Sequence, residues 1–210
     1  MMVYILSSTP LTNARQLPMI LQRFILEPID FLVYDYLLFT SKNAVTAAQK
    51  ISPSWRSVPS IVIGEATARK VEDLGGRVAY VASRFYGDDL AQEIVERFDP
   101  ARRYLFLRPK VVATDLGGIL RAKGFLVDER IVYETFCAPC HDRRPPPKGS
   151  IIIFSSPSTV RCFFRCFTWD ESYRAYALGT KTAEALPEGI AYTLCQGRSL
   201  QECVDLILGQ

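Results

Sequence analysis

The sequence repeats itself, and that repeat restricts the fold more than any single motif. Phe39-Thr40-Ser41 returns 115 positions later as Phe154-Ser155-Ser156, and Val45 returns as Val160. Gly64, Thr67 and Ala68 return as Gly179, Thr182 and Ala183 at the same offset of 115. Leu90 returns as Leu200 at an offset of 110, and Leu6 and Phe24 return as Leu107 and Phe125 at 101. If the first half is divided into units d, a, b and c, the chain reads d-a-b-c-d-a-b-c. The step from 101 to 115 places 14 extra residues between the second d and the second a, inside VDERIVYETFCAPCHDRRPPPKGS (127–150). The proline run 145–147 cannot be helical and reads as a linker.

Within the units, short apolar runs alternate with helical patterns. VYILSS (3–8) precedes a helical pattern over 11–24, YLLFTS (36–41) precedes KNAVTAAQK (42–50), and IVIG (61–64) precedes EATARKVEDLG (65–75). A helix starts at 88, and YLFLRP (104–109) precedes one ending near 123. IIIFSS (151–156) precedes PSTVRCFFRCF (157–167), AYALG (175–179) precedes TKTAEAL (180–186), and a last helix follows Ser199. Strands alternating with helices of about ten residues predict βαβ units and parallel sheets. The fold class is therefore α/β, with two similar parallel-sheet domains. Two architectures satisfy the order. One is a tandem cut near residue 100. The other nests one domain in the other, the chain crossing near 27–33 and 130–137 with those segments side by side as a hinge. In either, the halves are expected to face a shared cleft.

Composition removes several function classes. At 49% hydrophobic and 22% charged residues, the chain has an ordinary globular balance, and each half is long enough for its own core. The longest apolar run, FLVYDYLLF (31–39), is broken by Asp35 and falls well short of the roughly 20 residues of a membrane span. The start, MMVYILSSTPLT, lacks a basic leader and reads as a buried strand, so a cytoplasmic protein without membrane partners is expected. A net charge of +3 spread along the chain gives no reason to expect nucleic acid and suits a small polyanion. The six cysteines are expected to stay reduced in that compartment. No Walker loop, G-x-G-x-x-G or G-x-S-x-G is present, so nucleotide cofactors and a nucleophile elbow are not supported. The single histidine, His141, lies in the linker.

In units a and b a strand ends in Thr, Ser or Gly and a helix begins at once. Ligands of open parallel sheets bind beyond the carboxyl ends of the strands, where helix N-termini offer unpaired N–H groups. Thr40, Ser41, Thr67, Ser156, Ser158 and Thr182 occupy such places. Each taken singly is an ordinary cap contributing about 1 kcal/mol. Their duplication in both halves is what argues for carboxylate or phosphate binding.

The ordered set YLLFTSKNAV (36–45), IVIGEATARKVEDLG (61–75), DDLAQEI (88–94), LRAKGFLVDERIVYET (120–135), IIIFSSPSTV (151–160) and ALGTKTAEAL (177–186) resembles the uroporphyrinogen-III synthase family. The resemblance implies two α/β domains joined by a two-stranded hinge, the first domain discontinuous: 1–28 plus 137–210, then 34–130, with hinge strands at 29–33 and 131–136. It implies a monomer that needs no cofactor or metal. The implied substrate is hydroxymethylbilane, a linear tetrapyrrole with eight carboxylates. The implied reaction closes the macrocycle with inversion of the last pyrrole ring and loss of water, through an azafulvene and a spiro intermediate. Such chemistry rests on positioning and charge stabilisation more than on dedicated acids and bases. Tyr133 matches the family tyrosine of the second hinge strand, where a phenol donates to the departing hydroxyl. Outside the resemblance, Tyr133 reads as a packing aromatic. Thr67, Thr182, Ser41, Ser156 and Ser158 match cleft residues, with Thr40 and Arg108 as further substrate contacts. The chain departs from the pattern after Arg108. Pro109 stands where Gly is usual and Ala113 where a basic residue is usual, with Lys110 as the nearby replacement.

Two further signals compete. Cys137, Cys140 and His141 spell C-x-x-C-H, the haem-attachment pattern, but no export signal or second His accompanies it. Cys137, Cys140, Cys162 and Cys166 have spacings that a four-cysteine zinc site tolerates, whereas CFFRCF reads more simply as a helix face with core cysteines. From a different class, a two-lobed protein that binds a small polyanion without chemistry is the alternative.

Overall fold

The structure, a computed structural model, describes residues 2–7, 10–82, 87–112, 114–195 and 199–209. By its contacts the chain divides into two compact units. Unit 1 is Met1–Leu21 with Phe136–Gln210, and unit 2 is Gln22–Thr135.

In chain order the strands and helices are β1 (Val3–Ile5), β2 (Arg15–Gln16), β3 (Ile20–Phe24), β4 (Tyr36–Phe39), α1 (Lys42–Ile51), β5 (Ser60–Ile63), α2 (Glu65–Asp73), β6 (Val78–Ala82) and α3 (Gly87–Arg97). Then follow β7 (Arg103–Pro109), α4 (Leu116–Ala122), β8 (Leu126–Cys137), β9 (Ile151–Phe154), α5 (Pro157–Cys166), β10 (Arg174–Ala177), α6 (Thr180–Ala183), β11 (Tyr192–Leu194) and α7 (Leu200–Leu208).

The repeat is visible as topology. Among the described residues one sheet has the order β11-β10-β9-β1-β2, and the other the order β6-β5-β4-β7-β8-β3. The repeated strands β4 and β9 take the same place in each, flanked by β5 or β10 on one side and β7 or β1 on the other. From β11 to β2 and from β6 to β8, neighbouring strands are parallel. Both sheets are covered on two faces, which is why their central strands read as unbroken apolar runs. In β4, Leu37 and Phe39 join α1 and α2 around Trp55, while Leu38 joins α3 and α4. In β9, Ile152 and Phe154 join α5 around Phe163, while Ile151 and Ile153 join α7. Each such large side chain, once buried, contributes about 1.5–3 kcal/mol.

The structure departs from the sequence reading in three places. The helix expected over 11–24 is absent, and β2 and β3 stand there instead. Pro18 interrupts the segment and removes a helical donor. Residues 29–33, expected as a strand, end in a 3-10 turn, Phe31–Val33, because Pro28 breaks the chain and the Asp30 carboxylate accepts from Leu32 N–H. It is β3 that runs antiparallel along β8, with Ile25 N–H on the Val132 carbonyl and Ala138 N–H on that of Met19. Third, the cysteines are not free: Cys137–Cys162, Cys140–Cys166 and Cys195–Cys203 are disulfides. One turn of α5 presents Cys162 and Cys166 on the face that meets the end of β8, so paired sulfurs result. The proline-rich connection is pinned rather than loose. Ser150 and Tyr173 hydroxyls donate to the carbonyls of Pro147 and Pro146, and Arg143 donates to that of Pro18 at 2.7 Å.

Candidate active site

Unit 2 has its topological switch between β4 and β7, since the chain runs outward from β4 through β5 and β6 before returning to β7. Carboxyl ends diverge at such a point and leave a crevice. A cavity of about 320 Å³ opens there, its wall including Thr40, Ser41, Pro109, Val111, Thr114 and Tyr133.

Ser41 caps α1, its hydroxyl accepting from Ala44 N–H at 3.3 Å. The same oxygen lies 2.9 Å from the Tyr133 hydroxyl. Tyr133 is 6% exposed. Burial pushes its phenol above the ordinary tyrosine value, and the Ser41 hydrogen bond opposes that rise. The phenol is therefore a protonated donor at neutral pH, held at the positive end of α1. Beside it, Lys110 N–H donates to the Tyr133 carbonyl at 2.9 Å. Glu134 pairs with both Lys110 and Arg23, whose side chains are 62% and 70% exposed. Lys110 first, then Arg23, holds the Glu134 carboxyl below the usual range against the opposing effect of burial. Two exposed cations sharing one carboxylate leave this edge net positive.

Thr40, Ser41 and Tyr133 thus come together in one cavity. Arg108 does not line it. Its Nε donates to Glu129 at 2.6 Å and its Nη1 to the Pro109 carbonyl at 3.1 Å. Thr67 is 6% exposed inside α2, and its counterpart Thr182 in unit 1 is 3% exposed and donates to the Leu178 carbonyl at 3.3 Å. Each follows a strand-to-helix turn made by a glycine with positive φ, Gly64 at 74° and Gly179 at 95°, which only glycine adopts without strain. Ser156 caps α5 within a capping box, exchanging bonds with Thr159, and Ser158 accepts from Arg161 at 3.1 Å. Ala113 lies outside the described residues. Among the described residues no His, Cys, Asp and Glu cluster is arranged for a metal ion, and no helix is long and apolar enough to cross a membrane. The zinc and haem readings lose their thiols to the disulfides.

Sequence reasoning missed Glu129 and the wall residues Val111, Val112, Thr114 and Leu116. The available signal was Gly117 and Gly118, a helix-weakening pair inside an otherwise helical pattern.

The family model described as Uroporphyrinogen-III synthase HemD matches residues 6–193. The uroporphyrinogen-III synthase of Synechococcus elongatus is 32% identical over 152 residues, which is 62% of this chain and 53% of that protein, so the match spans about half the relative's length. The crystal structure of uroporphyrinogen-III synthetase from Helicobacter pylori 26695 superposes with a TM-score of 0.83 at 26% identity, covering 99% of this chain and 98% of that one. A mutant uroporphyrinogen III synthase from the extremely thermophilic bacterium Thermus thermophilus shares the fold, with a TM-score of 0.56 at 15% identity over 94% of this chain and 88% of that one. A family match over this span, on the repeat and topology described above, makes the chain a member of the uroporphyrinogen-III synthase family.

Proposed function

We propose that the chain is a uroporphyrinogen-III synthase, a cyclising hydro-lyase that converts hydroxymethylbilane to uroporphyrinogen III with loss of water and inversion of the last pyrrole ring. The observation that carries this reading within the family is the buried Tyr133 phenol, 2.9 Å from the capping hydroxyl of Ser41 in a crevice at the switch point. The cavity has the size of one substituted pyrrole, not of four. That suits a site that holds the reacting ring while the carboxylates spread over cationic and N–H-rich surroundings such as Lys110, Arg23 and the start of α1. Thr40 lies on the same wall as Ser41. Ser156 and Ser158 keep a carboxylate-binding assignment through the start of α5.

In the proposed sequence Tyr133 donates its proton to the departing hydroxyl, which leaves as water and creates the azafulvene. Ser41 then donates to the phenolate oxygen, and the positive end of α1 supports that charge. The last ring attacks through its substituted carbon, and the spiro intermediate fragments and recloses. Tyr133 regains its proton when the newly joined pyrrole carbon loses its hydrogen.

The reading includes a monomer, no cofactor, a small-molecule substrate and cytoplasmic residence. The three disulfides stand against that last point, and thiol counting on freshly extracted protein tests it: six thiols mark a reducing compartment, and intact bridges an oxidising one. The central test supplies hydroxymethylbilane and separates the porphyrin isomers after oxidation. Isomer III is expected. Isomer I alone, as forms without protein, would leave the non-catalytic polyanion-binding alternative standing.

A further inference from the structure

Arg108, Glu129 and Arg121 form a chain of charges that grips both ends of the cavity wall. The Glu129 carboxylate takes Arg108 Nε on one oxygen at 2.6 Å and Arg121 Nη2 on the other at 3.2 Å. Arg108 lies near the end of β7 and reaches forward to the carbonyls of Pro109 and Lys110 at 3.1 and 3.4 Å. Arg121 sits in the last turn of α4 and also holds the Val127 carbonyl at 3.2 Å. Between these anchors runs the segment that supplies Pro109, Val111, Val112, Thr114 and Leu116 to the cavity. Leu116 is buried in the core at the α4 end, but Val111 is 83% exposed, so apolar burial does not hold the β7 end of this segment in place.

Gly117 shows how closely the carboxylate is seated. A Cβ added there would lie 1.8 Å from Glu129 Oε1. A glycine inside a helix weakens it relative to alanine, and at this position it leaves the space Glu129 fills. Arg108 and Glu129 are 21% and 17% exposed, so their pairing is less screened than a surface ion pair.

Resting on the proposed activity, the geometry points to Glu129 as a positioning residue for the reaction. It fixes the wall of Pro109, Val111, Val112, Thr114 and Leu116 against the pyrrole that sits beside Tyr133, and so governs whether that ring inverts before closure. Arg108 serves Glu129 and the loop carbonyls rather than the substrate.

The test uses the full chain with Glu129→Gln, and with Arg108→Lys as a second variant that keeps the Glu129–Arg121 pair. Each is assayed well below its melting temperature for kcat, KM and the ratio of isomers III and I. Displacement of a reacting group by about 1 Å costs up to about 100-fold in rate. The expected result is a kcat lowered tenfold or more, a smaller change in KM and a raised share of isomer I in both variants. A part that is only structural would lower the melting temperature and leave the isomer ratio of the folded protein at the wild-type value. That outcome in either folded variant overturns the inference while the activity stands. Wild-type protein yielding isomer I alone removes the activity, and the inference with it.

Discussion

The two units share a strand order and a set of helix starts, and in unit 2 the shared scaffold frames a pocket with a buried phenol, Tyr133. At the equivalent caps, Ser156 and Ser41, the first turns of α5 and α1 differ in the residue that can answer the cap: position N3 is Thr159 in unit 1 and Ala44 in unit 2. Thr159 completes the capping box with Ser156. Ala44 has no side-chain oxygen to do so, and the Ser41 hydroxyl meets Tyr133. Cysteine divides the units as well. All six cysteines lie in unit 1, in three disulfides, and unit 2 has none. One copy of the duplicated fold thus carries the disulfides, and the other carries the cavity with the Ser41–Tyr133 pair.

Reduction should separate the copies most strongly. The bridges Cys137–Cys162 and Cys140–Cys166 close segments of 25 and 26 residues, and such a bridge contributes about 2–4 kcal/mol. Dithiothreitol is expected to speed amide exchange through β9 and α5 while the protected amides of β4 and β7 keep their rates. Equal acceleration in both units would erase the contrast.

Tyr133→Phe is the kinetic counterpart. Loss of the donor should lower kcat by about 100-fold with the far-UV spectrum unchanged, and wild-type turnover would remove Tyr133 from the mechanism. The pH dependence follows in sign. Burial raises the phenol, so the donor form persists past the ordinary tyrosine value of about 10, and its contribution disappears only at still higher pH. The folded state favours the protonated phenol, so ionisation above that value also weakens folding. An alkaline limb near neutrality would belong to another group.

Gly179→Ala tests the common element. With φ at 95° the substitution should destabilise unit 1 by about 1–3 kcal/mol in chemical denaturation. The smallest effects come from the caps. Ser41→Ala should cost about 1 kcal/mol and lower kcat by severalfold, whereas Thr159→Ala costs a few tenths to about 1 kcal/mol with unchanged kcat. Equal kinetic effects would mean that the Ser41–Tyr133 bond does nothing that a cap alone does not.

Much of this was legible in the chain. Identical residues at an offset of 115 announced two copies of one α/β pattern, because backbone hydrogen bonding and burial on two faces demand the same apolar runs in each. Ser41, Ser156, Gly64 and Gly179 declared their helix starts, since capping and positive φ are local needs. The role proposed for Tyr133 rests on family resemblance, because an aromatic in a strand reads the same whether it packs or reacts. Tertiary structure decided the rest. Pro18 and Pro28 set β3, not 29–33, against β8. Two of the three disulfides join α5 to the end of β8 and the residues after it, 25 and 26 residues apart in sequence. Arg108, a substrate contact by resemblance, pairs with Glu129, a charge-assisted bond between distant positions that local sequence does not announce. Local sequence specifies what each backbone segment must satisfy, and only packing across distant segments chooses which charges and sulfurs meet.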